Sequence, residues 1–279
     1  MVTVSTMARS SSSRDISFNT DFGSAHIRWD GPRATLFLGE VESSAVDTSD
    51  PTYLEFEYMQ HMDAVVSSLW GAQDRFRALH VGGAACALAC AWSSSHTQSR
   101  HVAVEVDRLL AEHVREHFPI PKAPQVKIRV GDGRAVLDGT REGSFDVIVR
   151  DAFASGVTPD HLRTVEYVQR ARAALTARGV YLVNCAHGGA ANARQDLAAL
   201  RGVFPFVASI QDPKVGRGGR RGNVVALACA DGVVDVDEID RALRTLALPA
   251  RITRPRDLER WVAGTPALRD AQVGYPQAD

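Results

Sequence analysis

The sequence predicts an α/β fold: a mostly parallel sheet covered on both faces by helices, preceded by a small β-domain. Three observations carry that expectation. From Arg77 onward, short apolar runs alternate with helix-like segments through five units. The last two apolar runs have no long helix between them, only a loop rich in glycine and arginine. Residues 21–50 instead hold short strand-like pieces broken by turn residues. Near-continuous apolar strands alternating with helices mark a parallel sheet buried on both faces.

Taken in order, residues 1–20 contain the serine run Ser10–Ser13 and no continuous apolar segment, so they read as a disordered tail, not a secretory signal. His26-Ile27-Arg28-Trp29 and the run 34–38 flank Asp30-Gly31-Pro32, which predicts two antiparallel strands around a turn. Asp50 and Pro51 fit the N-cap and first position of a helix whose Leu54, Tyr58, His61, Met62 and Val65 share one face. Residues 21–70 are therefore assigned to a small N-terminal β-domain with a linking helix, and residues 71–279 to one larger domain. Strands are predicted there over 78–81, 101–106, 126–130, 145–149 and 180–184, and helices over 84–92, 108–117, 159–178 and 190–202. The runs 204–210 and 223–229, joined by the loop 211–222, predict an antiparallel hairpin. Helices over 236–246 and about 255–262 close the chain. Five alternating units followed by an antiparallel hairpin describe the seven-stranded Rossmann-like sheet of S-adenosylmethionine-dependent methyltransferases.

Composition excludes several classes of partner. The 279 residues carry 32 Lys+Arg against 33 Asp+Glu, a formal charge of −1, so no global field holds nucleic acid or an anionic membrane. Apolar residues at 45% and charged residues at 23% are globular values, which argues against wholesale disorder. Cys86, Cys90, Cys185 and Cys229 include no C-x-x-C pair and read as reduced thiols of a cytoplasmic protein. The longest weakly polar stretch, 79–92, is too short to span a bilayer.

Ligands of open α/β sheets bind outside the carboxyl ends of the strands, so the residues after each strand are the candidates. The first strand leads into Gly82-Gly83-Ala84-Ala85-Cys86, where glycines admit close backbone approach or simply make a tight turn. The second ends in Glu105-Val106-Asp107. Glu105 lies 23 residues beyond Gly82, near the spacing at which a carboxylate accepts from ribose hydroxyls, and Asp107 reads as a helix N-cap. Gly131-Asp132-Gly133 follows the third strand, with Asp132 placed either to accept from an adenine amino group or to cap the next turn. Asp151 ends the fourth, a buried strand where a carboxylate needs a partner or a task.

These residues, with Glu55-Phe56-Glu57-Tyr58 and Asp146-Val147-Ile148-Val149, resemble the spermidine synthase (polyamine aminopropyltransferase) family over about residues 39–229. The resemblance implies that Gly82, Gly83, Glu105, Gly131 and Asp132 hold an adenosyl group, that Asp151 is the catalytic aspartate and that Tyr58 lies on the substrate side. It further implies an aminopropyl donor, decarboxylated S-adenosylmethionine or S-adenosylmethionine itself, used as a co-substrate with no tightly bound cofactor. The resemblance likewise implies a small amine as acceptor, polyamine synthesis as the setting and a homodimer as the assembly. The chain departs from the family pattern at defined places. G-G-G-D-G reads Gly82-Gly83-Ala84-Ala85-Cys86, so the Asp that receives the aminopropyl amine is Ala85. Y-H-E reads Tyr58-Met59-Gln60, D-S-S-D-P reads Asp151-Ala152-Phe153-Ala154, and the N-terminal substrate-side Gln is Glu42 or Ser43. Those departures keep two alternatives open, a methyltransferase and a non-catalytic nucleoside-binding homologue.

His113 and His117, spaced i, i+4 with Arg115 and Glu116 between them, read as a solvated helix surface, and no metal is expected. No G-x-S-x-G or Walker A motif occurs. Lys214, Arg217, Arg220 and Arg221 among glycines read as a solvated hairpin loop, without the aromatic residues of a nucleic-acid site.

Overall fold

The structure, a computed structural model, describes residues 15–154, 156–215, 220–232 and 234–275. Four antiparallel strands open it in sequence order: β1 (Ile16–Thr20), β2 (Gly23–Asp30), β3 (Arg33–Leu38) and β4 (Val41–Asp47). β2 and β3 are the two expected strands. β1 corrects the expected tail, because Ile16–Thr20 pairs along β2 from Ile16↔Ile27 to Thr20↔Gly23 and Phe18 packs onto the core. The serine run Ser10–Ser13 lies outside the described residues. The expected helix start at Asp50 is also corrected. The Asp50 carboxylate accepts from the Thr52 backbone N–H and hydroxyl, closing a local turn, and α1 begins only at Glu57 (Glu57–Leu69).

Among the described residues the large sheet has eight strands: β5 (Arg77–Val81), β6 (Arg100–Glu105), β7 (Val126–Val130), β8 (Phe145–Arg150), β9 (Leu175–His187), β10 (Phe206–Gln211), β11 (Gly222–Cys229) and β12 (Arg251–Thr253). Their order is β12-β10-β11-β9-β8-β5-β6-β7. β5 to β9 pair in parallel, while β10 and β11 form the expected antiparallel hairpin. Seven strands match the methyltransferase-like sheet. The eighth, β12, adds three residues antiparallel to β10 at the edge. Because β5 pairs with β6 on one side and β8 on the other, the chain reverses direction of winding there, and a crevice opens at the carboxyl ends of these strands.

The helices are α2 (Ala87–Ser95), α3 (Arg108–His117), α4 (Gly133–Asp138), α5 (Val165–Ala174), α6 (Ala193–Arg201), α7 (Val236–Arg244), α8 (Pro255–Val262) and α9 (Asp270–Val273). The single helix expected over 159–178 is instead a 3-10 turn at Asp160–Leu162 followed by α5. Thr164 caps α5 by accepting from Tyr167 N–H, and Leu175 already pairs with Phe145 as the first residue of β9. α2 starts three residues later than expected, because Ala84 and Cys86 take positive φ values of 39° and 58° that a helix does not admit.

Alternation along the strands divides the core between the two faces of the sheet. Ala78, Val147, Leu182 and Leu227 face α1, α2, α7 and the N-terminal sheet in one cluster, with Ile27, Leu36, Met62 and Trp92 all at 0% exposure. Leu79, Ile148, Tyr181 and Val183 face α5, α6 and α8 in the other. Among the described residues no helix is long and apolar enough to cross a membrane.

His61, His80 and His101 are buried in this core. Desolvation pushes His61 down from 6.5 to about 4 against the opposing charge of Asp212, and His80 down to about 3. His101, which lies 3.1 Å from His80 ring to ring, is held well below its ordinary value by the same burial. Each stays neutral in the fold while the unfolded chain binds a proton, so its stability contribution is complete above pH 6.5 and lost as pH falls toward the folded value. For His61 alone the loss by pH 4 is about 3 kcal/mol. Urea-unfolding midpoints measured between pH 7 and pH 4 are expected to decline, and His61→Leu is expected to shallow the decline by about one proton. A slope unchanged in the variant contradicts the buried neutral state.

Candidate functional site

The carboxylate of Asp151, the residue after β8, is gripped from two elements. Its Oδ2 accepts from the Tyr58 hydroxyl of α1 at 2.8 Å, and its Oδ1 accepts from Nδ2 of Asn184 in β9 at 2.8 Å. Desolvation raises the Asp151 pKa above the ordinary carboxylate value, against the lowering effect of both hydrogen bonds and of Arg150. Burial, with the charge of Asp151, pushes the Tyr58 phenol well above 10, so that hydroxyl remains a donor. The Oδ1 of Asn184 is buried and has no partner among the described residues. Such a carboxylate can take a proton from a bound group or stabilise a positive charge forming beside it.

The glycine turn meets Asp151 directly. Gly82 has φ +98°, and a Cβ there would lie 2.1 Å from the Asp151 carbonyl oxygen. The turn is closed on the other side by Glu105, whose Oε2 accepts from the N–H groups of Gly83 (3.3 Å) and Ala84 (3.0 Å). Its Oε1 accepts from Asp107 N–H at 3.1 Å. Ala84 and Cys86 keep left-handed backbone at the two positions where the family pattern has glycine, at a cost of about 1 kcal/mol or more each. Ala85 between them is fully buried.

Farther along the rim, Gly131 N–H donates to the Glu105 carbonyl at 2.9 Å, which brings Asp132 beside that strand end. Asp132 does cap α4, through Oδ1 and Ala135 N–H at 2.9 Å, and its Oδ2 meets His161 Nε2 at 2.9 Å. Burial favours the neutral acid, but the bonds from Ala135 and His161 outweigh it and hold the pKa below the ordinary value. The ionised oxygen only accepts, so His161 carries its proton on Nε2. Asp132 and His161 border a cleft of about 470 Å³ whose outer wall is Gln272, Gly274 and Tyr275. Val106 and Val130, at the ends of β6 and β7, are 52% and 48% exposed on the same rim.

Contacts thus join Tyr58, Asp151, Gly82, Gly83, Glu105, Gly131 and Asp132 into one continuous rim. Asp107 caps α3 by accepting from Leu110 N–H. Sequence reading missed Asn184, His161 and Tyr275. Asn184 carried a legible signal, a polar residue at the end of an apolar run, whereas nothing local marked the other two. His113, Glu116 and His117 on α3 bring three ligand-type atoms within 4.8 Å, and Phe18 of β1 packs 4.2 Å from the His113 ring. In the basic loop, Arg220 lies 3.6 Å from Asp212, and Arg217 lies outside the described residues.

No family model matches the sequence. A stretch of 110 residues, 39% of the chain, is 24% identical to the polyamine aminopropyltransferase of Vibrio vulnificus (strain CMCP6) and spans 37% of that protein. The chain therefore spans little more than a third of that relative's length. A crystal structure of a probable spermidine synthase from Corynebacterium glutamicum ATCC 13032 aligns with TM-score 0.83 and 32% identity, covering 91% of this chain and 95% of that one. A spermidine synthase in complex with the transition state analogue AdoDATO shares the fold at TM-score 0.58 and 17% identity, over 94% of this chain and 87% of that one.

The approach of Gly82 to Asp151 separates the two glycines of the turn. Gly82→Ala is expected to lower stability by more than about 1 kcal/mol, a drop of at least about 2 °C in Tm for a chain of this size. Gly83→Ala, whose Cβ would meet Glu105 Cβ at 3.4 Å, an ordinary contact, is expected to melt within about 2 °C of the unchanged protein. Thermal denaturation by circular dichroism checks both.

Proposed function

The chain belongs to the spermidine synthase family, and from that membership we propose that it moves an aminopropyl group from decarboxylated S-adenosylmethionine to a small amine. The observation that carries this reading is the grip on Asp151: a desolvated carboxylate, fixed by Tyr58 and Asn184, against the glycine turn that Glu105 closes. In the proposed site Gly82, Gly83, Glu105, Gly131 and Asp132 hold the nucleoside part of the donor. Residues 21–70 deliver Tyr58, and residues 71–279 form the adenosyl-binding domain. The relatives named as spermidine synthase and polyamine aminopropyltransferase support the same transfer. A homodimer in the cytoplasm, serving polyamine synthesis, completes the proposal.

The sulfonium donor carries its own leaving group, so the protein's task is to place the amine for in-line attack. The amine lone pair forms the new C–N bond as the C–S bond breaks, and methylthioadenosine leaves with the electron pair. The surplus amine proton passes to Asp151. Tyr58 and Asn184 fix the two carboxylate oxygens, and Tyr58, as a permanent donor, helps close the pocket.

Acceptor recognition departs from the family pattern. A hydrogen bond to a charged group contributes about 1.5–3 kcal/mol, so losing carboxylates at positions 85 and 154 removes about 3–6 kcal/mol of ammonium binding, or roughly 10²–10⁴ in affinity. Putrescine is therefore a poor acceptor unless Glu42 or Glu57 replaces those contacts, Glu166 being committed to Asp270 N–H and Arg269. Ala85 also favours a second reading, methyl transfer from intact S-adenosylmethionine, because no carboxylate at that position selects the decarboxylated donor.

Isothermal titration with methylthioadenosine, S-adenosylmethionine and its decarboxylated form separates the readings. Preference for the decarboxylated donor supports aminopropyl transfer, preference for the intact one methyl transfer, and binding of none leaves neither. Asp151→Asn is expected to reduce transfer by about 10²–10⁴ while methylthioadenosine binds nearly unchanged. Because Asp151 must be ionised and its pKa is raised, kcat/KM is expected to fall on acidification at a pH above the ordinary aspartate value of 3.8.

A further inference from the structure

Three ligand-type side chains meet on the last turn of α3, outside the rim. His113, Glu116 and His117 each offer a nitrogen or an oxygen, and those atoms all lie within 4.8 Å of one another. Spacing alone suggests a solvated helix surface, and the packing corrects that reading. Phe18 of β1 covers the His113 ring at 4.2 Å between centroids and lies 6.2 Å from the His117 ring. The two imidazoles are nearly parallel, 6° apart in plane. Nδ1 of His113 is buried with no partner among the described residues, which leaves that imidazole under-satisfied. The His117 side chain is 21% exposed, whereas that of Glu116, at 70%, is free to turn.

The N-terminal sheet fastens this helix at both ends. At its start, Asp21 Oδ2 accepts from the N–H groups of Arg108 (2.7 Å) and Leu109 (3.2 Å), and at its last turn Phe18 seats against the histidines. That turn also favours a cation, because the carbonyls at a helix C-terminus carry partial negative charge. Arg115, the neighbouring cation, is committed elsewhere: it donates to the carbonyls of Ile120 and Pro121 in the loop beyond the helix.

We propose that His113, Glu116 and His117 bind a zinc ion, or a divalent transition metal of the same class, and that the ion locks the last turn of α3 against β1. Positions i, i+3 and i+4 share one helix face, so a single turn presents all three ligands. Two imidazoles and a carboxylate suit zinc and its neighbours, whereas magnesium and calcium take oxygen shells. A tetrahedral zinc with bonds of about 2.0–2.2 Å holds its ligand atoms about 3.4 Å apart, a closure that rotation of Glu116 and small turns of the two rings supply. Three protein ligands leave the fourth position to water. No residue of the rim takes part, so the inference is independent of the transfer reading. The folded helix presents the three ligands together and the unfolded chain does not, so binding stabilises the fold.

The test is titration of the full chain, first stripped of metal with a chelator, with zinc chloride, read by isothermal calorimetry and by thermal denaturation. One zinc is expected to bind per chain, and at about a hundredfold its dissociation constant to raise Tm by about 5 °C. Magnesium is expected to leave Tm unchanged. His113→Gln and His117→Gln are each expected to weaken zinc by at least about a hundredfold, more than a metal's outer-shell partners contribute, and Glu116→Gln by about tenfold. His117→Gln and Glu116→Gln keep the seat of Phe18 on His113, so melting within about 2 °C of the unchanged protein in chelator separates loss of a ligand from loss of packing. Zinc binding that falls in these variants supports the site. No zinc binding by the unchanged protein overturns it, as does an equal response to magnesium. Binding that survives in both histidine variants places the ion elsewhere and overturns it as well.

Discussion

The rim depends on how closely two parallel strand ends meet at the point where the sheet changes its direction of winding. Asp151 N–H donates to the Val81 carbonyl at 2.8 Å, and the Asp151 carbonyl occupies the space where any residue but glycine at position 82 would carry its Cβ. That contact fixes the carboxylate of Asp151 over the start of the glycine turn. Glu105, from the next strand, then binds the turn through its free N–H groups, and the order of β8, β5, β6 and β7 places four strand ends in one line. Small shifts in this contact propagate to every side chain on the rim, because close-packed interiors transmit strain.

Two buried arginines stiffen the scaffold behind it. Arg150, the neighbour of Asp151 in the chain, points away from the rim to Asp196 at 2.6 Å, and Arg163 shares that carboxylate at 3.0 Å. Desolvation opposes the charge of Arg150, but Asp196 outweighs it and keeps the guanidinium protonated. Removing one member of such a network strands a buried charge, at a cost of about 3–5 kcal/mol. Arg134 plays the corresponding part beneath Asp132, where it joins α4 to α9. Residues one or two apart thus divide the tasks: Arg150 and Arg134 organise the interior, while Asp151 and Asp132 face the rim.

The residues after the strands were legible because function in an open α/β sheet is confined to that edge, and periodicity alone locates the edge. Asp107 and Asp132 were legible as caps for the same local reason. Asp50 misled because its side chain closes a turn as readily as it caps a helix, and nothing nearby distinguishes the two. The strand Ile16–Thr20 was hidden because an edge strand of five residues is stabilised by β2 and by the seat of Phe18, both remote in sequence. The helix expected over 159–178 was split by Thr164 and by the pairing of Leu175 with Phe145, a contact thirty residues away.

By itself the sequence determined the fold class, the alternating units with a final antiparallel hairpin, and the identity of the acids and glycines at the strand ends. These follow from side-chain periodicity and from spacing along a single chain. Only the tertiary structure decided what each acid touches. Asn184 joins Asp151, His161 joins Asp132, and Tyr275 closes the cleft beside them, because strands and helices far apart in sequence come together across the sheet. A carboxylate's proton affinity and its reach are set by those neighbours, and no local pattern encodes them.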